Sequence, residues 1–226
     1  MIRTKIIALV ASPHGLKGNT AALLRYVVEG VEAEGVSTEI VVLKGDTVLH
    51  CLACDICHIK GRCMQNDAFA AIKAKIVGAE GLILASPNYI NNVSAQMKGF
   101  MDRCCGVVHC MQFWGKYGVS VVTSGGEGDE PVAKYMNQFL IMTGAAPVGA
   151  VSANMSVMPA EDFTEELRER ARELGRKLVT ALRASGVPPE VEARRNAFRE
   201  RMRSLIAWKK EEWPYEYQYW KDGMGL

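Results

Sequence analysis

Cys51, Cys54, Cys57 and Cys63, spaced Cys-x2-Cys-x2-Cys-x5-Cys, form the most chemically loaded stretch of the chain. Three thiolates set three residues apart can converge on one centre from a single compact loop, and the fourth arrives just after Gly61. Four thiolates this close together meet the requirement of a four-iron, four-sulfur cluster, and bacterial ferredoxins use a related run. Two other chemistries stay open on spacing alone. Zinc accepts four thiolates, although its sites usually pair two Cys-x2–4-Cys knuckles across a longer gap. The same thiols can also stand free or form a labile disulfide. His50 and His58 flank the run; with four thiolates present they read as supporting or surface groups. Cys104, Cys105 and Cys110 read as small buried hydrophobes.

A second candidate is the stretch Ser12-Pro13-His14-Gly15-Leu16-Lys17-Gly18-Asn19-Thr20, which joins an apolar run to a helical one. Its glycines let backbone N–H groups turn toward one point, and Ser12, Asn19 and Thr20 add side-chain donors. His14 and Lys17 lie alongside. The start of the following helix contributes positive potential. Together these suit a phosphate, without matching a Walker A loop or a Gly-x-Gly-x-x-Gly turn. A plain turn with an Asn or Thr helix cap is the alternative reading of the same residues.

The elements that must position these groups follow from hydrophobic period. Lys5–Ala11 is a nearly continuous apolar run, as in a strand buried on both faces of a parallel sheet. Residues 20–34 have helical spacing and end at Gly35. Further strands are expected at 37–43, 81–86, 118–123 and 146–153, with helices at 68–79, 94–108, 131–142 and 164–185. Strand and helix alternate through connections too long for hairpins, which is the pattern of a doubly wound α/β domain. The expected fold is a flavodoxin-like five-stranded parallel sheet of order 2-1-3-4-5. Ligands then bind beyond the carboxyl ends of the strands, which directs attention to segments 12–19, 44–67, 87–94 and 124–130.

The expected organisation is a domain over residues 1–186, with the cysteine run as an insert at 44–67, and a C-terminal helical and aromatic extension over 187–226. Three of the four tryptophans lie between Trp208 and Trp220, so this tail is expected to pack on the domain or on a neighbouring subunit. Arg194, Arg195, Arg199, Arg201 and Arg203, interleaved with Glu192 and Glu200, read as a solvated helix face. A formal charge of +2 over 226 residues argues against nucleic-acid and membrane partners. No apolar run approaches the roughly 20 residues that span a bilayer. With no signal-peptide pattern at Met1, a cytoplasmic location is expected, where seven cysteines point to metal or redox chemistry rather than disulfides.

Two more loops, Ser86-Pro87-Asn88-Tyr89-Ile90-Asn91-Asn92-Val93-Ser94-Ala95-Gln96-Met97-Lys98 and Thr123-Ser124-Gly125-Gly126-Glu127-Gly128-Asp129-Glu130, follow the third and fourth strands. With the first loop, they resemble the NADPH-dependent FMN reductases and iron–sulfur flavoproteins of the flavodoxin-like superfamily, over residues 5 to about 185. The resemblance implies FMN phosphate at the loop of Ser12, His14, Lys17, Gly18, Asn19 and Thr20. It implies the isoalloxazine ring at Pro87, Asn88, Tyr89, Ile90 and Asn91, and at Ser124, Gly125 and Gly126. Relatives often carry arginine where His14 stands and glycine where Asn91-Asn92 stands; asparagine tolerates left-handed backbone.

The expected activity is that of an FMN-dependent electron-transfer oxidoreductase carrying a [4Fe-4S] cluster on Cys51, Cys54, Cys57 and Cys63. NAD(P)H or ferredoxin would be the electron donor, a small molecule the acceptor, and the assembly a homo-oligomer, dimer or tetramer. The rivals are an NAD(P)H-dependent FMN or quinone reductase without a cluster, a flavodoxin-type carrier with no enzyme activity, and a zinc-stabilised binding module.

Overall fold

The computed structural model describes residues 5–158 and 162–226. In chain order the elements are β1 (Lys5–Ala11), α1 (Asn19–Ala33), β2 (Ser37–Leu43), α2 (Ile56–Lys60), α3 (Phe69–Val77), β3 (Gly81–Tyr89), β4 (Asn92–Val93), α4 (Ala95–Arg103) and α5 (Cys105–His109). They continue with β5 (Tyr117–Ser124), α6 (Asp129–Thr143), β6 (Ala146–Asn154), α7 (Glu165–Ala184), α8 (Pro189–Trp208) and α9 (Pro214–Gly223).

The five long strands are parallel and ordered β2-β1-β3-β5-β6, which is 2-1-3-4-5 when only they are counted. β1 shows why a continuous apolar run was needed. Successive side chains on a strand point to opposite faces. Ile6, Ala8 and Val10 enter a core with α1 and α7, while Ile7, Leu9 and Ala11 enter a second core with α3, α4 and α6.

The expected helix over 94–108 divides at Cys104 into α4 and α5. The sixth strand, β4, pairs antiparallel with the end of β3 through a tight hairpin, Tyr89 opposite Asn92. Its two central residues, Ile90 and Asn91, both have positive φ, 52° and 57°, as the inward twist of a two-residue hairpin demands. A β-branched residue is strained there, and Ile90 is almost wholly exposed.

Residues 189–226 form their own small core against the sheet domain. Trp220 is fully buried with Met111, Met202 and Ile206, and its indole N–H donates to the His109 carbonyl at 2.9 Å. The reading of the arginine run as a solvated face is corrected at two positions. Arg195 is buried, donates to the Gly144 carbonyl at 3.0 Å and lies 4.3 Å over the Trp114 ring. Arg199 shares that ring and donates to the Met224 carbonyl. A planar guanidinium stacks on an aromatic face where an ammonium does not, and Trp114, far away in sequence, supplies the face. Among the described residues no helix is long and apolar enough to cross a membrane.

α1 and α7 approach so closely that a β-carbon on Gly175 would stand 2.1 Å from the Val27 carbonyl oxygen. We expect Gly175→Ala to push the two helices apart and cost about 1–3 kcal/mol. Urea unfolding checks this; an unchanged midpoint would show that the pair tolerates the extra volume.

Candidate functional site

The tips of β1, β3, β5 and β6 meet at one edge around an open cleft. From the first loop it is lined by Ser12, His14, Gly18, Asn19 and Thr20; from the β3 loop by Pro87, Asn88 and Tyr89; from the β5 tip by Ser124 and Gly125. Four expected residues, Lys17, Ile90, Asn91 and Gly126, are not among its lining. Two that sequence reasoning missed are: Thr123 and Met155. Met155 follows β6, and applying the carboxyl-end rule to that last strand would have found it.

The loops hold one another in place. Ser94 is the linchpin: its hydroxyl donates to the Ala11 carbonyl at 2.7 Å, caps α4, and its N–H donates to Ser86 Oγ at 2.9 Å. The β3 loop is tied to the β5 loop by Asn88 Nδ2 donating to the Glu127 carbonyl at 2.9 Å. The Thr20 and Thr123 hydroxyls lie 2.6 Å apart. Three features suit a bound phosphorylated ring. The start of α1 has no side-chain cap and no acid in its first turn, which leaves its positive end to an anion. Asn88 keeps a buried Oδ1 with no partner among the described residues, and a β-carbon on Gly125 would meet nothing within 4 Å.

The four cysteines line a second cavity. Their loop leaves the carboxyl end of β2 as expected. It folds back onto the far end of α4 and onto α5, and the two cavities share no lining residue. α4, nine residues long and so about 14 Å, runs from one toward the other.

Arg103, the last residue of α4, closes the loop. Its guanidinium donates to both carboxylate oxygens of Asp67 at 2.7 and 3.2 Å and to the Leu49 carbonyl at 3.0 Å, while Leu49 N–H donates to Asp67 at 2.9 Å. Residues 49 and 67 bracket the cysteines, so one bidentate pair pins both ends. Burial opposes the charge on Asp67, yet hydrogen bonds from Arg103, Leu49 and Phe69 hold its carboxyl below the usual value. Within the loop, Ala53 and Asp55 take positive φ (49° and 57°), and Ala53 N–H donates to Cys51 Sγ at 3.4 Å. Gly61, also at positive φ, lies flat under the Tyr215 ring of α9, where a β-carbon would come within 2.2 Å. Arg103 Nε is buried and has no partner among the described residues. A strong donor facing a thiol-lined cavity suits an anionic, sulfur-rich occupant.

A third group adjoins the loop. His58, on α2, is buried, and its Nδ1 lies 2.7 Å from Glu216 Oε1; His109 Nδ1 lies 3.0 Å from the other oxygen. The Nε2 atoms of both rings stand 3.9 Å from Cys105 Sγ. Cys104 and Cys110 are buried as expected, and burial pushes both thiols up. Cys105 is different: hydrogen bonds from His109 and His58 bring it down to about 6 against partial burial. Burial disfavours charge on His58, but Cys105, Cys57 and Glu216 outweigh it and push it up to about 12. Burial likewise opposes His109, which Cys105 and Glu216 raise to about 9. Glu216, despite burial, is held low by His109 and His58.

Residues 4–158 match the family model of the NADPH-dependent FMN reductases. The chain belongs to this family. Membership makes it an FMN-dependent oxidoreductase, with an electron donor and an acceptor. An iron-sulfur flavoprotein of Archaeoglobus fulgidus is 36% identical over 178 residues, covering 78% of this chain and 80% of the relative. One of Methanocaldococcus jannaschii is 29% identical over 79% of this chain and 97% of its own. Among solved structures, an NAD(P)H:quinone oxidoreductase from Methanothermobacter marburgensis superposes with a TM-score of 0.60 at 19% identity, over 77% of this chain and 95% of that one. That likeness shows the flavodoxin-like fold. The family match ends before α7, so α8 and α9, with Glu216, lie outside it.

Arg103→Met tests the clamp. It leaves the Asp67 carboxylate buried without its partner, a change that costs about 3–5 kcal/mol. Since the folded Asp67 is lowered from 3.8, the clamp contributes fully above that pH and is lost as the pH falls through the lower, folded value. We expect wild type to lose stability over that acid range and the variant to lose less; parallel acid profiles would show that the pair does not close the loop.

Proposed function

We propose that this family member is an electron-transfer flavoprotein whose strand-tip cleft holds FMN and whose cysteine loop holds a [4Fe-4S] cluster. The phosphate would rest on Ser12, His14, Gly18, Asn19 and Thr20 at the start of α1. The ring would lie along Pro87, Asn88 and Tyr89 and against Ser124 and Gly125. Cys51, Cys54, Cys57 and Cys63 would be the cluster ligands.

The observation that carries the cluster is the cavity lined by all four cysteines, its ends pinned by the Arg103–Asp67 pair and an unpartnered Arg103 N–H buried at its wall. Among the described residues the metal-binding atoms that gather within 4.8 Å of one another belong to His58, Cys105 and His109, not to the four loop thiols. A single zinc ion would draw four sulfurs to about 3.8 Å of one another, so the wider spread favours a larger occupant. The naming of two relatives as iron-sulfur flavoproteins agrees.

Bound in these places, FMN supplies paired and single electron transfer and a cluster supplies single electrons. The chain's own contribution is position. Ser94 and Asn88 lock the loops of the cleft before any ligand arrives, and the buried Thr20–Thr123 contact fixes the phosphate end. NAD(P)H or ferredoxin would deliver electrons and a small molecule would remove them. Exposed Tyr89 and Ile90 at the cleft rim support assembly as a homo-oligomer.

Two variants test the assignment. Gly125→Val places its side chain in open space, so folding should be unaffected while FMN affinity falls at least about tenfold, ~1.4 kcal/mol. An unchanged dissociation constant would remove the ring from that loop. Cys54→Ser should lose iron and the brown absorbance while FMN stays bound; retained iron would remove the cluster.

A further inference from the structure

We propose that His58, Cys105 and His109 form a second metal centre, a mononuclear site for zinc or a similar borderline divalent cation, adjoining the four cysteines, whose cavity His58 and Cys105 also line. Their ligand atoms, two imidazole Nε2 and one thiol, all lie within 4.8 Å of one another, and both Nε2 atoms are 3.9 Å from the sulfur. With Zn–N near 2.0–2.1 Å and Zn–S near 2.3 Å, a tetrahedral ion sets N···S edges at about 3.6 Å. Closing the site asks for a contraction of about 0.3 Å on each N···S edge and of the N···N edge to about 3.3 Å.

The surroundings are those of a built ligand set. Glu216 is fully buried and gives one oxygen to each Nδ1. Each imidazole therefore carries its proton on Nδ1 and turns Nε2 to the common thiol, the carboxylate–histidine arrangement that orients metal-binding histidines. Trp213 lies nearly parallel to both rings, 4.6 and 4.8 Å from their centroids, and limits their rotation. Cys105 and His109 are one turn apart on α5, so a single short helix presents two ligands. Solvent can take the fourth position.

Glu216 and Trp213 lie beyond the residues that the family model matches, so the centre depends on what the C-terminal helices add. It does not depend on the loop holding a cluster.

The test is metal analysis and zinc K-edge X-ray absorption on the FMN-loaded, anaerobically purified full chain supplied with zinc. Zinc absorption is element-specific, so iron in the loop does not interfere. We expect about one zinc per chain with one sulfur and two imidazole nitrogens in its shell. Cys105→Ala should abolish it with iron and FMN unchanged, and the near-isosteric Glu216→Gln should weaken it by about 10–100-fold. A four-sulfur zinc shell, iron that falls with Cys105→Ala, or no zinc retained at micromolar concentration would each overturn the proposal. Should Cys105→Ala fail to fold, the wild-type absorption spectrum decides by itself.

Discussion

A fully buried carboxylate is tolerated only where its charge is met by hydrogen-bonded partners, and at Glu216 both oxygens are met by imidazoles from distant parts of the chain. That one contact fixes much else. It places α9 over α2 and α5, and so sets the Tyr215 ring on Gly61 and Trp213 against both histidines. It holds α5 at the angle where Cys105 faces the histidines, while the break at Cys104 leaves Arg103 facing Asp67. The cysteine loop is therefore gripped from two sides, by Arg103 at its ends and by α9 across its turn. A loop with non-glycine residues at positive φ needs such support to persist.

The strand-tip cleft is organised by different means. Its loops spring from strands that are buried on both faces, and they are joined to one another by short polar contacts through Ser86, Ser94, Asn88 and the two threonines. Strand tips provide rigidity, and the loops provide open small residues and an uncapped helix start. The two cavities share α4 as a common beam, with the cleft loop entering at Ser94 and the cysteine clamp leaving at Arg103.

The sheet was legible because a parallel strand covered on both faces must be apolar throughout. β1 and β2 have the bounds that their sequences imply, and the strand order follows from the alternation of elements. The three cleft loops were legible through glycine, asparagine and hydroxyl residues at strand ends, and the thiol run through its spacing. What escaped depends on pairs far apart in sequence. Glu216 meets His58 across 158 residues, and no periodicity encodes that. Cys105 reads as a buried hydrophobe until two histidines are brought to it. Arg195 reads as a surface charge until Trp114 arrives beneath it.

Two redox groups are proposed for one chain, a flavin at the strand tips and a cluster in the clamped loop. Anaerobic reductive titration with dithionite counts them directly. A flavin takes up two electrons and a four-iron cluster one, so the account predicts uptake of about three per chain, with bleaching of both the yellow and the brown absorbance. Uptake of about two, confined to the flavin bands, would contradict it.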